Sequence, residues 1–462
     1  MNGFDSAATP PVASAQRELR RPPDRGWRGA STLFAALAWA GLAIALLAWW
    51  NDTPAGSINN RGELFVHAGR LTGLIAGYTL LVQVLLRSRV SFVERVVGTE
   101  RITRWHRDLG AVLLVTVLAH AALILVGYAI VDRTGLFAEL NTLMTEYEDM
   151  TSAVVATVIL VLVGLLAVRT VRAVMPYELW KLLHLASYLV LLLSYGHQFA
   201  NGQQLFRPGL GRYLWLFLYV GVLGCLAWGR LVAPFLLNKR HDFRVAKVVD
   251  EGPEIISIYL TGRELREAAR AGQFYRWRFL APRLWTQAHP FSLSAATNPQ
   301  WMRLTVKTVG KHTAALRRLT PGVRVWAQGP MGSFTASHRT RNRALLLAAG
   351  IGIAPIRALL EELPLRTVVI YRARTFHDVV LRDELDRIAE ERNATIWYVL
   401  GKRDEPGPRA LLTGQGILQL VPDVKQRDVY VCGPDGFIEA ARTALRRAGV
   451  RRRQVHDTIF EF

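Results

Sequence analysis

The sequence predicts a multidomain chain. A six-helix transmembrane bundle comes first, followed by a soluble region in which short alternating strands give way to strands alternating with helices. Three observations carry this. Six apolar stretches of about twenty residues, the length needed to cross roughly 30 Å of hydrocarbon, recur before residue 240. Arginines gather in alternate loops between them. After Lys239 and Arg240 the texture changes, and the remaining 220 or so residues suit two small domains.

Residues 1–30 carry Pro10, Pro11, Pro22 and Pro23 with five arginines and almost no periodicity, which predicts a disordered basic tail. The apolar run that follows, Ser31 to Trp50, is longer than a signal-peptide core and ends in the pair Trp49 and Trp50, suited to a membrane interface. A cleaved signal peptide is therefore not expected. The six spans lie near 31–50, 64–86, 106–130, 151–168, 179–199 and 213–236.

Loop charge fixes their direction. Arg87, Arg89, Arg95, Arg101 and Arg104 separate spans two and three, and Arg169, Arg172 and Lys181 separate spans four and five. The opposite loops hold Arg61, Arg133, Arg207 and Arg212, and one is acidic, with Asp132, Glu139, Glu146, Glu148 and Asp149. By the positive-inside rule both termini are cytoplasmic, in a multi-pass protein of the cell membrane. The net charge of +21, from 57 basic and 36 acidic residues, is then largely topological, which argues against nucleic acid as a partner. Two cysteines, Cys225 and Cys432, make no disulfide framework. No EF-hand pattern and no internal repeat is visible.

Inside the spans the histidines stand out. In "HRDLGAVLLVTVLAH", His106 and His120 are fourteen residues apart. On an ideal helix that is about 40° short of four turns and about 21 Å along the axis, so both face one way at two depths. In "HLASYLVLLLSYGH", His184 and His197 are thirteen apart, which leaves them about 140° out of phase. That span needs tilt, distortion near Gly196, or differently turned side chains. A single histidine here reads equally well as an interfacial residue bonded to a carbonyl. Two pairs at matching depths favour axial ligation of two stacked haems, since neutral imidazole is a common haem ligand and an ionisable group within a span is costly.

With these residues the sequence resembles the ferric reductase and NADPH oxidase family of transmembrane flavocytochromes b, from about residue 60 to the C-terminus. The resemblance implies an inner haem on His106 and His184 and an outer haem on His120 and His197. It also implies an FAD-binding antiparallel β-barrel and an α/β parallel-sheet NAD(P)H-binding domain. The domains then run 1–30 (tail), 31–238 (haem-binding spans), 239–338 (FAD) and 339–462 (NAD(P)H).

"HPFSLS" looks like the family's flavin motif, which assigns His289, Pro290, Phe291 and Ser292 to FAD. In "VKTVGKHT", Lys307, Gly310 and Thr313 fall where the family binds the flavin pyrophosphate; a cation, a close-approach glycine and a hydroxyl suit that anion. The alternative is an exposed basic strand and turn. "GPMGSF", Gly329 to Phe334, resembles the turn that closes the barrel.

"RALLLAAGIGIAPIRALL" reads as strand, glycine turn and helix N-terminus, which offers backbone N–H groups to phosphate. It places Gly350, Gly352 and Pro355 at NADPH, with proline in a first helical turn where its missing N–H costs nothing. A tight turn without a ligand is the plainer reading. "DVYVCGPDGF" ends a strand at Cys432, Gly433 and Pro434, which the resemblance sets beside the nicotinamide; by itself Cys432 reads as a buried strand cysteine. Arg372 and Arg374 end another strand where an NAD-selective site offers a carboxylate, which favours NADPH over NADH. Phe462, at the end of "DTIFEF", stacks on the flavin by the same resemblance.

The implied function is electron transfer from cytoplasmic NADPH through FAD and two b-type haems to an extracytoplasmic acceptor. Ferric chelates, dioxygen and quinones all fit. Arg70 matches an arginine near the oxygen-reducing centre of the eukaryotic oxidases, but their histidine four residues beyond the outer third-span ligand is here Ile124. His67, one turn from Arg70, can stand in for it or be an interfacial histidine. The expected reaction is therefore metal reduction, with superoxide formation as the alternative. A transporter regulated by a flavin domain would show polar or glycine-broken spans at mid-membrane, and spans three and five do not.

Overall fold

A computed structural model of the chain describes residues 30–54, 56–202, 209–363, 366–402 and 405–459. The expected tail up to residue 29 and Phe462 lie outside the described residues. Of the described residues, those from 30 to 232 form one compact unit and those from 233 to 459 a second.

The first unit is helical. Helix α1 is Ala30–Asp52 and α2 is Arg61–Leu86. The α2 start is capped by Asn60, whose side chain accepts from the Glu63 N–H, while Glu63 reaches back to the Asn59 N–H. Tyr78 in α2 donates to the Ala38 carbonyl of α1 (2.7 Å), over Gly41, where a side chain would strike the ring. Helix α3 runs through Thr99–Val131 and carries the first histidine pair.

Next come α4, Leu136–Glu146, and α5, Met150–Leu166, bent 116° to each other. Helices α6, Tyr177–His184, and α7, Ser187–Asn201, carry the second pair. Helix α8, Leu210–Ala227, passes through a π-helical turn at Trp228–Val232 into α9, Ala233–His241. Among the described residues five helices are long and apolar enough to cross a membrane, or six if the bent α4–α5 pair is one span. The expected fourth span thus differs from the others: α5 has 17 residues and starts only after the chain has turned sharply.

The phase mismatch of the second histidine pair is reduced by a distortion at a different place from the one expected. The chain is not distorted at Gly196. Instead, between α6 and α7, N–H groups of Leu185, Ala186, Tyr188 and Leu189 bond three residues back, to Leu182, Leu183, Leu185 and Ala186. Such turns advance roughly 120° per residue instead of 100°, so four of them recover about 80° of the mismatch.

The second unit begins with two three-stranded antiparallel sheets. Strands β1 (Arg244–Gly252), β2 (Ile255–Thr261) and β5 (Met302–Lys307) form one, in the order β1-β2-β5. Strands β3 (Phe274–Phe279), β4 (His289–Ser292) and β6 (Val325–Met331) form the other, in the order β4-β3-β6. Isolated bridges, Leu293 to Leu304 and Arg244 to Arg324, link their ends. Alternation buries Tyr275, Trp277 and Phe279 of β3 with Ile256, Ile258 and Leu260 of β2 in one core.

A five-stranded parallel sheet follows. Its strands are β7 (Arg343–Ala349), β8 (Val368–Ala373), β9 (Thr395–Leu400), β10 (Arg427–Gly433) and β11 (Val455–Ile459). The order is β11-β10-β7-β8-β9, all parallel, and the inner strands β7, β8 and β10 are buried almost throughout, as in a sheet covered on both faces. The chain leaves β7 towards β8 on one side and returns to β10 on the other. The crevice between the C-terminal ends of β7 and β10 is thus the topological switch point, where open α/β sheets bind ligands.

Candidate functional site

The membrane unit brings the four histidines together in the two expected pairs. The rings of His106 and His184 lie 6.2 Å apart and those of His120 and His197 also 6.2 Å apart. Two imidazoles bound on opposite sides of one ion, each by a nitrogen about 2 Å from it, place their ring centres roughly 6 Å apart. The residues therefore fit a haem iron at both levels. Among the described residues no three His, Cys, Asp or Glu side chains gather as a metal site; an iron whose other ligands come from a macrocycle needs only two.

The surroundings of the pairs differ. His120 Nδ1 lies 2.7 Å from the Gly69 carbonyl, so this nitrogen donates and Nε2 keeps its lone pair for a metal. Gly73, one turn on, leaves room for the ring: a Cβ there would come within 2.7 Å of His120 Nδ1. His197 Nδ1 is 3.4 Å from the Asn201 amide, which donates to the Glu148 carbonyl at 2.7 Å. The Asp149 carboxylate lies against Gly196, beside His197. In the His106–His184 pair, Nδ1 of each ring is buried and has no hydrogen-bond partner among the described residues. The His106 carbonyl accepts from Gln83 (2.8 Å), and Trp180 stacks flat on His184, 5.0 Å away at 15°.

Ile124 packs against Gly69. His67 is buried with its ring 6.3 Å from Trp49, and Arg70 lies on the same helix.

In the second unit β4 presents the flavin motif, paired through Phe274 to Ser292 and Trp277 to His289. Trp277 Nε1 donates to the Phe291 carbonyl (3.1 Å), which fixes the motif's backbone. Pro290 is exposed, His289 and Phe291 are half-buried and Ser292 is buried. His289 stacks on Phe291 and shares a 2.7 Å N···N contact with His312, a residue without a distinguishing sequence signal. Burial, then His312, then Arg276 lower the His289 pKa to about 4, so the imidazole is neutral at physiological pH.

Gly310 and Thr313 form a small closed turn, N–H to Oγ1 at 3.1 Å. Lys307, at the end of β5, pairs instead with Glu254, 3.2 Å away. A carboxylate shares the cation expected to meet the pyrophosphate.

Gly350, Gly352, Cys432 and Gly433 converge at the switch point. Gly350 has φ +54°, a left-handed backbone that glycine adopts at no cost. A Cβ on Gly352 would overlap the Cys432 carbonyl oxygen, and one on Gly433 would lie 2.9 Å from Phe437. Pro355 is the third residue of helix α10, Ile353–Glu362, inside its first turn as expected. Pro434 precedes helix α11, Asp435–Arg447. The Cys432 thiol is fully buried in the core beneath this crevice, and burial raises its pKa, so it is a neutral thiol.

The two arginines separate. Arg372 donates to the Ala373 and Val399 carbonyls (both 3.2 Å), and burial lowers its pKa. Arg374 is exposed beyond the strand.

Sequence reasoning missed a buried ionic network behind the flavin motif. Arg303 of β5, 1% exposed, donates to Ser294 Oγ (3.0 Å) and to both oxygens of Glu384 (2.7 and 2.9 Å). Arg357 of α10 lies 2.8 Å from Glu384 and 2.9 Å from Glu361. Burial opposes ionisation of Glu384, but the two guanidiniums hold its carboxyl below the usual range. Two buried guanidiniums, Arg303 and Arg357, are thus each compensated by a carboxylate, which is what lets charge persist at such low exposure.

Residues 72–195 match the family described as "Ferric reductase like transmembrane component", and residues 346–443 match "Oxidoreductase NAD-binding domain". The chain is 29% identical over 234 residues, 48% of its length, to the ferredoxin reductase component of 3-ketosteroid-9-alpha-monooxygenase from Mycolicibacterium smegmatis. It is 28% identical over 48% of its length to a flavohemoprotein of Chromobacterium violaceum, and 28% identical over 45% to NADH oxidoreductase HCR of Escherichia coli. The matches span 65%, 60% and 65% of those relatives' own lengths. Among solved structures, the ferredoxin reductase in carbazole 1,9a-dioxygenase is 20% identical at a TM-score of 0.40, over 48% of this chain and 69% of that one. This is a membrane protein that joins a ferric reductase-like component to an oxidoreductase NAD-binding domain.

Proposed function

We propose that this chain, in which a ferric reductase-like transmembrane component precedes an oxidoreductase NAD-binding domain, moves electrons from cytoplasmic NADPH across the cell membrane to ferric iron or other metal chelates outside. When bound, the cofactors supply the redox chemistry: hydride from NADPH, splitting of the electron pair on FAD, and single-electron carriage by two b-type haems. What the protein contributes is position. His106 with His184 holds the inner haem, and His120 with His197 the outer. The arginine-rich loops keep both termini and the second unit cytoplasmic.

The two linked sheets are the FAD-binding barrel. His289, Pro290, Phe291 and Ser292 face the flavin, with Gly310 and Thr313 at its pyrophosphate and Lys307 shared between that anion and Glu254. Gly350, Gly352 and Pro355 bring N–H groups to the NADPH pyrophosphate. Arg374 is the cation available to the 2′-phosphate, since Arg372 is engaged by carbonyls. Cys432 acts with Gly433 and Pro434 as a flat floor for the nicotinamide, its neutral buried thiol being suited to packing and not to attack.

The observation that carries this reading is the equal ring spacing, 6.2 Å, of two histidine pairs at two levels of the helical unit, in a chain that also has a glycine-lined crevice at the switch point of its parallel sheet. The test is the visible spectrum of the detergent-purified, FAD-supplemented protein, kept anaerobic, before and after NADPH. Reduced b-type bands amounting to two haems per chain are expected. A protein without haem refutes the histidine assignment; haem that stays oxidised refutes the nucleotide route.

Reduction of dioxygen to superoxide is the second reading, favoured by His67 and Arg70 on the outer half of α2. Ile124 against Gly69 stands where the oxidases place a histidine. Product formation sensitive to superoxide dismutase separates the two.

A further inference from the structure

Among the described residues, no hydrogen bond to Nδ1 sets the rotation of either inner imidazole. His184 Nδ1 is buried without a hydrogen-bond partner, yet the ring stands crosswise to that of His106, at 78°. The group against it is Trp180, four residues earlier on α6 and so on the same face of that helix. Its indole lies parallel to the imidazole, 5.0 Å between centres and 15° between planes.

Trp180 is itself clamped. Its Nε1 donates to the Leu166 carbonyl, 3.2 Å away, which is one of the carbonyls left open at the C-terminus of α5. On the ring sits the Arg172 guanidinium, 4.6 Å from the centroid, at cation–π distance. Arg172, Trp180 and His184 thus form a chain of contacts from the basic loop to the ring. Among the described residues no equivalent stack adjoins the outer pair, whose planes cross at 55° and whose His120 is oriented by its bond to Gly69.

We propose that Trp180 is the positioning residue of the inner haem ligand: by stacking on His184 it fixes the imidazole plane across that of His106, with Arg172 and the Leu166 carbonyl holding Trp180 in place. This rests on the haem reading of the four histidines. It is a steric and orienting role, distinct from carrying electrons, because a cation over the indole makes the ring harder to oxidise.

The plane angle has a direct signature. In ferric bis-histidine haem, crossed imidazole planes give a strongly anisotropic low-spin electron paramagnetic resonance signal with a large highest g value, and near-parallel planes a rhombic one. The experiment uses the full-length, haem-loaded, oxidised protein and its Trp180→Leu, Trp180→Phe and Arg172→Gln variants, with haem per chain measured alongside. The wild type is expected to show two low-spin signals, the more anisotropic belonging to the inner site.

Trp180→Leu should move that signal towards the rhombic form, or lose the inner haem alone. Trp180→Phe should restore it, and Arg172→Gln should broaden it. An unchanged spectrum in Trp180→Leu with two haems per chain overturns the proposal. So does a shift that Trp180→Phe fails to reverse, since any packing defect would then serve. Wild-type protein without haem refutes the haem reading itself and is recognised before any variant is made.

Discussion

The candidate ligand sites of the two units are built by opposite means. In the membrane unit each candidate ligand is one side chain with few polar neighbours, as the orphaned Nδ1 atoms of His106 and His184 show. In the second unit the candidate contacts are backbone turns and shared networks: Gly350 and Gly352 against Cys432, Lys307 with Glu254, and His289 with His312. Where one atom makes one bond, deletion is all or none. Where many groups share a ligand, deletion is graded. Lipid enforces the first arrangement, because each extra polar group in hydrocarbon has to find a partner.

The sharpest way to break this contrast is His184→Ala. It should remove one of two haems and lower NADPH-driven reduction of a ferric chelate by more than about tenfold, with FAD content unchanged. Two haems per chain in the variant would put the ligand elsewhere. Next in size is Gly73→Ala, whose methyl would sit 2.7 Å from His120 Nδ1. The outer haem should bind about 10- to 100-fold more weakly while the inner one stays, read as a fall from two haems towards one after dialysis.

The second unit should respond more mildly. Arg374→Gln is expected to cost about tenfold in kcat/KM for NADPH and little for NADH, checked by steady-state reduction of a soluble dye. Equal losses for both nucleotides would place the 2′-phosphate elsewhere.

The smallest effect concerns pH. Because the folded state lowers the His289 pKa to about 4 from an ordinary 6.5, the unfolded chain takes up the proton first as pH falls. The contribution of this group to stability is therefore complete above about pH 6.5 and declines between 6.5 and 4. His312→Ala removes one of the causes and should flatten that decline, measured as the thermal midpoint of the full chain at pH 7 and pH 5. An identical slope in the variant would show that burial alone sets the pKa.

Much of this was legible because lipid and sheet geometry impose strong periods. Long apolar runs located the spans, and the strand–glycine–helix pattern located the switch point. The α4–α5 bend was not, because a single apolar stretch at 151–168 looks the same whether the chain arrives straight or at 116°. Lys307 was read as available because Glu254 meets it only through the β2–β5 register, 53 residues away in sequence. His312 and Arg303 gave no signal: a histidine in a polar turn and an arginine in a strand are ordinary until folding buries them. Trp180 likewise gave no signal, since its stack on His184 is set by folding.

The tight turn at Leu185–Leu189 also has a metric consequence. Four residues that rise about 2.0 Å each, with nine at about 1.5 Å, span roughly 21.5 Å; fourteen ordinary helical residues span about 21 Å. Thirteen residues on one strut and fourteen on the other therefore measure out the same depth. A one-residue insertion beside Ala186 that let the turn relax would leave His197 at nearly its present level and heading, so length variation should be tolerated here and nowhere else between the two ligands.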